Sequence, residues 1–107
     1  MIETQLLPDS GIVCRPSGGL DWIAAVSLRH VIGDLLQPGV KVVIDLSRVD
    51  IIDAVGMSAI VGSQRRVRAV GGRAEICGAS GQVYRSLQLA GVDRLLSCSA
   101  TTGDDAA

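Results

Sequence analysis

The sequence predicts an α/β fold: a single, mostly parallel sheet of about five strands with one antiparallel edge, and three main helices alternating with the strands. Three observations carry this. The run Val40-Lys41-Val42-Val43-Ile44-Asp45-Leu46 is almost continuously aliphatic, the pattern of a central parallel strand covered on both faces. Three further segments place apolar residues at helical spacing and end at glycine. The core stock is aliphatic, with no Phe, one Trp (Trp22) and one Tyr (Tyr84) among 107 residues, which suits strands packed under helices. A chain of this length is expected to form one domain, since single domains usually run ~100–150 residues. The domain is expected over residues 1–100, with a polar, small-residue tail at 101–107.

Taken in order, Glu3 to Pro8 reads as a first strand and Ile12 to Arg15 as a second, joined as a hairpin by the turn-forming run Pro8-Asp9-Ser10-Gly11. Pro16-Ser17-Gly18-Gly19 is expected to break the second strand. A helix follows over Leu20 to Leu36, with Leu20, Ile23, Ala24, Leu28, Val31, Ile32 and Leu35 on its inner side and Gln37-Pro38-Gly39 as its stop. Val40 to Leu46 is the central strand. A turn then leads into a second helix, Gly56 to Val70, closed by Gly71-Gly72. Arg73 to Cys77 alternates as a strand. Ser80 to Ala90 reads as a third helix with Val83, Leu87 and Ala90 inward, and Leu95 to Cys98 as a last short strand. Successive strand–helix–strand units impose right-handed crossovers and hence the parallel sheet.

Composition excludes several function classes. The formal net charge is −1, so no broad positive field points to nucleic acid, and there are too few aromatics for a base-stacking surface. No N-terminal segment combines a basic start with an apolar run, and no apolar stretch nears the ~20 residues of a membrane helix, so neither a signal peptide nor membrane insertion is expected and the chain reads as cytoplasmic. Cys14, Cys77 and Cys98 are few, odd in number and widely spaced, which suits reduced thiols. Cys77 and Cys98 fall near the ends of strands expected to be neighbours, which makes a redox link the alternative, but inert thiols fit better. With no CxxC and one histidine (His30), no metal site or cofactor is expected. His30 reads as a packing or surface residue.

The stretch Asp45-Leu-Ser-Arg-Val-Asp-Ile-Ile-Asp-Ala-Val-Gly56 runs from the central strand through a turn into a helix. Together with Gly19-Leu20-Asp21 at the first helix, Gly71-Gly72, and Leu87-Gln88-Leu89-Ala90-Gly91-Val92-Asp93, it resembles the STAS family of bacterial anti-sigma factor antagonists. The match spans about Val13 to Leu96. The resemblance implies a STAS-like fold and a non-catalytic binding module that docks a kinase-like anti-sigma factor, or another regulatory partner, through the switch turn and the helix after it. In phosphorylated members the switch is a serine directly after the turn's aspartate. Here that position is Ala54 and the next is Val55, so the scaffold of the switch is present without its hydroxyl. The resemblance thus implies an antagonist not switched by phosphorylation at the usual position.

Individual residues carry two readings each. Asp53 reads first as a helix N-cap, a role compatible with orienting a partner or a phosphoryl group. Asp21 either lines the same pocket as Asp53, as the resemblance implies, or serves the electrostatics of the first helix start. Ser58, one turn beyond Ala54, is either a small contact residue or an alternative phosphosite. Met57, Ile60, Val61, Gln64 and Val67 read as the sheet-facing stripe of the second helix. Ser58, Ala59, Gly62 and Ser63, with Arg65, Arg66 and Arg68 beyond, then read as its outer side, either a docking face or an ordinary solvated one. The expected partner-binding set is therefore Asp21, Asp53, Ala54, Val55, Gly56, Ser58, Ala59, Gly62, Ser63, Arg65 and Arg66.

Other function classes fit less well. A receiver-like phospho-acceptor would use Asp45 at the end of its strand, but an acidic pair is missing from Leu6-Leu7-Pro8 and the only lysine is Lys41. A Cys14-dependent enzyme would use Cys14-Arg15-Pro16-Ser17-Gly18-Gly19 as a phosphate loop, but Leu20 stands where that loop needs arginine and no acid–base partner is evident. A STAS subunit of a transporter or stress-signalling complex keeps the fold and changes the partner; sequence does not separate it from the antagonist. Oligomeric state is likewise open.

Overall fold

The computed structural model describes residues 2–91, and it has the expected mixed sheet with three helices. The elements are β1 (Ile2–Leu6), β2 (Ile12–Leu20), α1 (Trp22–Leu35), β3 (Lys41–Asp45), β4 (Arg48–Ile52), α2 (Ala54–Ala69), β5 (Arg73–Cys77) and α3 (Gly81–Leu89). β1 and β2 form the antiparallel hairpin; β2 with β3, β2 with β4, and β3 with β5 are parallel. The expected strand at Leu95 to Cys98, the tail at 101–107 and Cys98 lie outside the described residues.

The fifth strand is β4, in the stretch read from sequence as a turn. β3 and β4 run one after the other along β2: Val42 to Ile44 pair with Ile12 to Cys14, and Arg48 to Ile52 with Ser17 to Leu20. Leu46 and Ser47 interrupt the path, and the register slips again at Gly18/Gly19. These slips destroy the alternation that marks a strand in sequence, leaving only Val49 and Ile52 buried in β4. The same arrangement corrects the break expected at Pro16-Ser17-Gly18-Gly19. Pro16 falls where β2 has left β3 and not yet met β4, so its missing N–H costs no rung on that side. Gly18 takes φ 83° at the bulge, a left-handed conformation open to glycine.

The core lies on one side of the sheet. Cys14, Val42, Ile44, Ala74 and Ile76 pack with Ala25, Leu28 and Ile32 of α1, Ala59, Ile60 and Val67 of α2, and Val83 and Leu87 of α3. Paired positions share a face, so Val13, Val43 and Glu75 form a row on the opposite side. That side carries an ionic ladder: Glu3 Oε1 accepts from Arg15 Nη1 (3.3 Å) and Arg48 Nη1 (3.1 Å), and Arg15 Nε donates to Asp45 Oδ2 (3.0 Å). The expectation that the central strand is covered by apolar layers on both faces is therefore corrected. Val43 is buried, but it is not part of the helix-packed cluster and lies among charged side chains.

Two helix faces also differ from expectation. Ile23, read as inward, is 60% exposed, because α1 turns Ala25, Leu28 and Ile32 to the sheet. Ala90, read as inward, is exposed at the C-cap of α3, beyond the last turn that packs.

Candidate functional site

The site is assembled where two parallel strands end side by side. Leu20 closes β2 and Ile52 closes β4, and the two are paired in register. Each is followed by an aspartate and then a helix, so α1 and α2 begin next to one another at the carboxyl edge of the sheet. Asp21 caps α1, its Oδ1 accepting from the Ala24 N–H at 3.0 Å; Asp53 caps α2, its Oδ1 accepting from the Gly56 N–H at 2.8 Å. In both cases the acceptor bonds the third amide of the helix, which otherwise lacks a partner. The N-cap reading of Asp53 is thus correct; Asp21, read as a first-turn charge in a helix starting at Leu20, is itself the cap of α1, and both aspartates line one shallow cleft with Gly19, Leu20 and Ile51.

Ala54 and Val55 form the first helical positions of α2 and are exposed. Gly56 is not: it is buried against β2, where a Cβ would collide with the Leu20 carbonyl oxygen and lie 3.0 Å from the Leu20 carbonyl carbon. Its role is to let α2 start tight on the strand. Beyond it, the outer-face reading of α2 holds only in part. Ser58 and Arg65 are exposed and Gly62 is half-buried, but Ala59 and Ser63 are fully enclosed. Ser63 Oγ donates to the Ala59 carbonyl at 2.7 Å, and Ala59 belongs to the core cluster. Both small residues allow close packing inside the molecule, and the structure removes them, with Gly56, from the accessible set. Arg66 reaches toward α1, its Nη1 donating to the Arg29 carbonyl at 3.1 Å. Met57 and Val61, placed on the sheet-facing stripe, are only half-buried.

Sequence reasoning missed the apolar rim. Trp22 (62% exposed), Ile23, and Val26 stand on one side of α1 by i, i+3 and i+4 spacing; Ile51 on β4 and Val55 on α2 are also exposed. These residues flank the two caps. The available signal was an excess: Trp22-Ile23-Ala24-Ala25-Val26 is apolar all round, more than one buried face needs. On the other flank, Ile52, Asp53, Ala54 and Met57 meet Ser86, Leu89 and Ala90 in a second open cleft of about 380 Å³. Gln82 of α3, also unanticipated, secures this flank. Its Oε1 accepts from the Ile52 N–H (3.0 Å) and its Nε2 donates to the Ile52 carbonyl (3.1 Å), so the side-chain amide pairs with the last residue of β4 as a strand would.

Asp45, Cys14, Cys77 and His30 complete the candidates. Asp45 accepts from Arg15 Nε and from the Ser47 N–H at 2.9 Å. Burial pushes its carboxyl up, but these donors outweigh burial and hold it below the usual value of 3.8. Cys14 lies inside β2, fully buried, and burial pushes its thiol up to about 11. The run Cys14 to Gly19 is strand, not a phosphate-cradling loop, and Arg15 is engaged by Glu3 and Asp45. Cys77 is half-buried and His30 exposed. No group of three or more His, Cys, Asp or Glu among the described residues is placed to hold a metal, and no described helix is long and apolar enough to cross a membrane.

A strand-ending pair of capped helices on a sheet of this topology defines a STAS-type architecture. The family model described as the STAS domain matches residues 2–105, and the chain belongs to that family. Among solved structures, the anti-sigma factor antagonist SpoIIAA in its unphosphorylated form shares the fold with a TM-score of 0.77 at 22% identity, over 90% of this chain and 85% of that one. An anti-sigma factor antagonist STAS domain from Rhodobacter sphaeroides gives 0.61 at 24% identity, over 78% and 94% of the two chains. A sulfate transporter family protein from Wolinella succinogenes gives 0.69 at 24% identity, over 81% and 71%. No curated protein matches the chain by sequence.

Proposed function

We propose that this chain is a non-catalytic regulator of the anti-sigma factor antagonist kind. It would act in the bacterial cytoplasm and dock a kinase-like anti-sigma factor, or a related regulatory protein, at the α1–α2 mouth. The observation that carries the reading is the exposed apolar rim around two adjacent N-caps in a STAS fold. Exposed Trp22, Ile23, Ile51 and Val55 supply an apolar anchor, and Asp21 and Asp53 supply negative charge at its centre, a combination suited to a partner offering an apolar plug beside a basic group.

Ala54 shapes the regulation. A phosphate at this position would add roughly −1.5 to −2 charges beside Asp53 and Asp21 and repel a docked partner. SpoIIAA, which has this fold, is known in both an unphosphorylated and a phosphorylated form. Alanine offers no acceptor, so the complex stays intact in the presence of ATP and control passes to abundance or to another site, with exposed Ser58 the alternative acceptor. A second reading, a STAS subunit of a transporter complex, draws on the likeness to the sulfate transporter family protein; it uses the same mouth with a different partner.

The test is capture of the partner from the source lysate, then affinity measurement with purified pairs. Ala54→Asp and Trp22→Ser should each weaken binding ~10-fold or more. Leu6→Ser, at the far end of the hairpin, should leave it unchanged. Mass spectrometry after incubation with ATP should find residue 54 region unmodified, and phosphate on Ser58 would move the switch one turn along α2. Undiminished binding by both mouth variants would refute the docking surface.

A further inference from the structure

The described arginines and the lysine fall into two sets. Those on strands are all ion-paired: Arg15 with Glu3 and Asp45, Lys41 with Asp9, Arg48 with Glu3, and Arg73 with Glu75. The arginines on helices, including Arg29 and Arg66, make no ion pair with any described residue. Two of them meet in one place. Arg29 and Arg66, with His30 and Val26, line an open groove of about 380 Å³ between α1 and α2, and no carboxylate is among its lining residues.

The groove is built around the Arg66 guanidinium. Nη1 donates to the Arg29 carbonyl oxygen at 3.1 Å, and Nη2 lies against Gly33, 2.9 Å from where a Cβ there would stand. The glycine in the middle of α1 thus leaves room for a guanidinium from α2, and the carbonyl fixes its plane. A guanidinium has five N–H donors, so donors remain for a ligand. Asp34, one turn beyond His30, lines a different cleft, with Asp9 and Lys41.

We propose that this groove binds a phosphate-class oxyanion carried by a small molecule. Two arginines and a histidine, from two helices, line this one groove. That arrangement suits a tetrahedral dianion, whose oxygens point in several directions, better than a carboxylate, which a single arginine fork satisfies. Val26 gives an apolar wall for an organic portion. The inference is independent of partner docking, because the isolated chain carries the whole groove.

The experiment is a titration of the full chain with inorganic phosphate, at constant ionic strength held with sodium chloride, followed by amide and arginine side-chain NMR signals. Saturable shifts confined to Val26, Arg29, His30, Gly33 and Arg66 are expected. Arg29→Gln should weaken the apparent affinity ~10-fold; this side chain makes no contact that the fold needs. Arg66→Gln should do the same, and Arg85→Gln on α3 should not. Gly33→Ala should weaken phosphate binding while leaving the domain at least as heat-stable, a split that a purely structural Arg66 would not produce. Shifts that fail to saturate, that survive Arg29→Gln, or that acetate reproduces at equal concentration would overturn the proposal, the last by assigning the groove to carboxylates such as those of an acidic peptide.

Discussion

Two glycines in one helix should respond to alanine with opposite sign. Gly56 and Gly62 both lie in α2, and both are compatible with alanine by backbone conformation, since neither has positive φ. Their surroundings differ. A Cβ on Gly56 would meet the Leu20 carbonyl oxygen and carbon and come within 3.1 Å of Ile52 Cγ1, whereas a Cβ on Gly62 meets nothing within 4 Å. Overpacking a tight site costs about 1–3 kcal/mol. The obstacle at Gly56 is backbone of a paired strand, which cannot swing aside, so the cost sits near the top of that range. The helix-propensity gain of alanine offsets it by about 1 kcal/mol at most, leaving a net loss of roughly 2 kcal/mol. At Gly62 only the gain remains, about 0.5–1 kcal/mol. For a domain of this size each kcal/mol shifts Tm by roughly 4–8 °C. Gly56→Ala should therefore melt about 8–16 °C below the parent and Gly62→Ala about 2–8 °C above it. Thermal unfolding by circular dichroism, in one buffer at one protein concentration, reads both. A Gly56→Ala protein that melts within a few degrees of the parent would show that α2 does not start against the Leu20 carbonyl, and the geometry of the mouth would have to be redrawn.

Asp53→Ala and Asp21→Ala each remove a cap bond and should each cost about 1 kcal/mol of stability in denaturant titrations; an unchanged midpoint for both would mean the carboxylates do not cap. Asp45 has a carboxyl held below 3.8 in the folded chain, so its contribution is fully present above that value and is lost as the pH falls through the depressed one. The stability difference between parent and Asp45→Asn should then be constant from neutral pH down to about 4 and shrink below it, and a difference that grows on acidification would contradict the Arg15 pairing. Cys14 is enclosed with its thiol pushed up to about 11, so only about one molecule in a thousand would carry the thiolate at pH 8 even if reagent could enter. Site-resolved alkylation should leave it unmodified until the domain unfolds, and rapid native labelling would revive a chemical role for it.

What was legible in sequence follows from how local each cause is. α1, α2, β5 and α3 announce themselves through apolar spacing and terminal glycines, and their observed bounds fall within two residues of those read from the pattern. β4 was illegible because its cause is distant. Arg48 to Ile52 is strand only because β2 continues past Pro16 to meet it, and the slips at Leu46–Ser47 and Gly18/Gly19 scramble the alternation on both partners. The same non-local cause explains the site. Asp53 was readable as a cap, and Asp21 as a charge at a helix start, each from its own neighbours. That they stand side by side depends on Leu20 pairing with Ile52, a relation between strands that no spacing along the chain encodes.

The small residues of α2 show why pattern reading divides a helix wrongly. Ala59 and Ser63, spaced one turn apart, look from sequence like a strip for an approaching surface, and the surface that approaches is the protein's own. α1 packs against α2, and Ser63 turns its hydroxyl back onto the Ala59 carbonyl. A small residue permits close approach without saying by whom. Exposed bulky residues are more specific, because leaving Trp22, Ile23 and Ile51 in water forfeits about 1.5–3 kcal/mol for each large side chain that a buried position would have gained. The exposed apolar rim therefore supports the proposed docking surface across the starts of α1 and α2, beside exposed Ala54, more strongly than the small residues of mid-α2, which the molecule's own packing encloses.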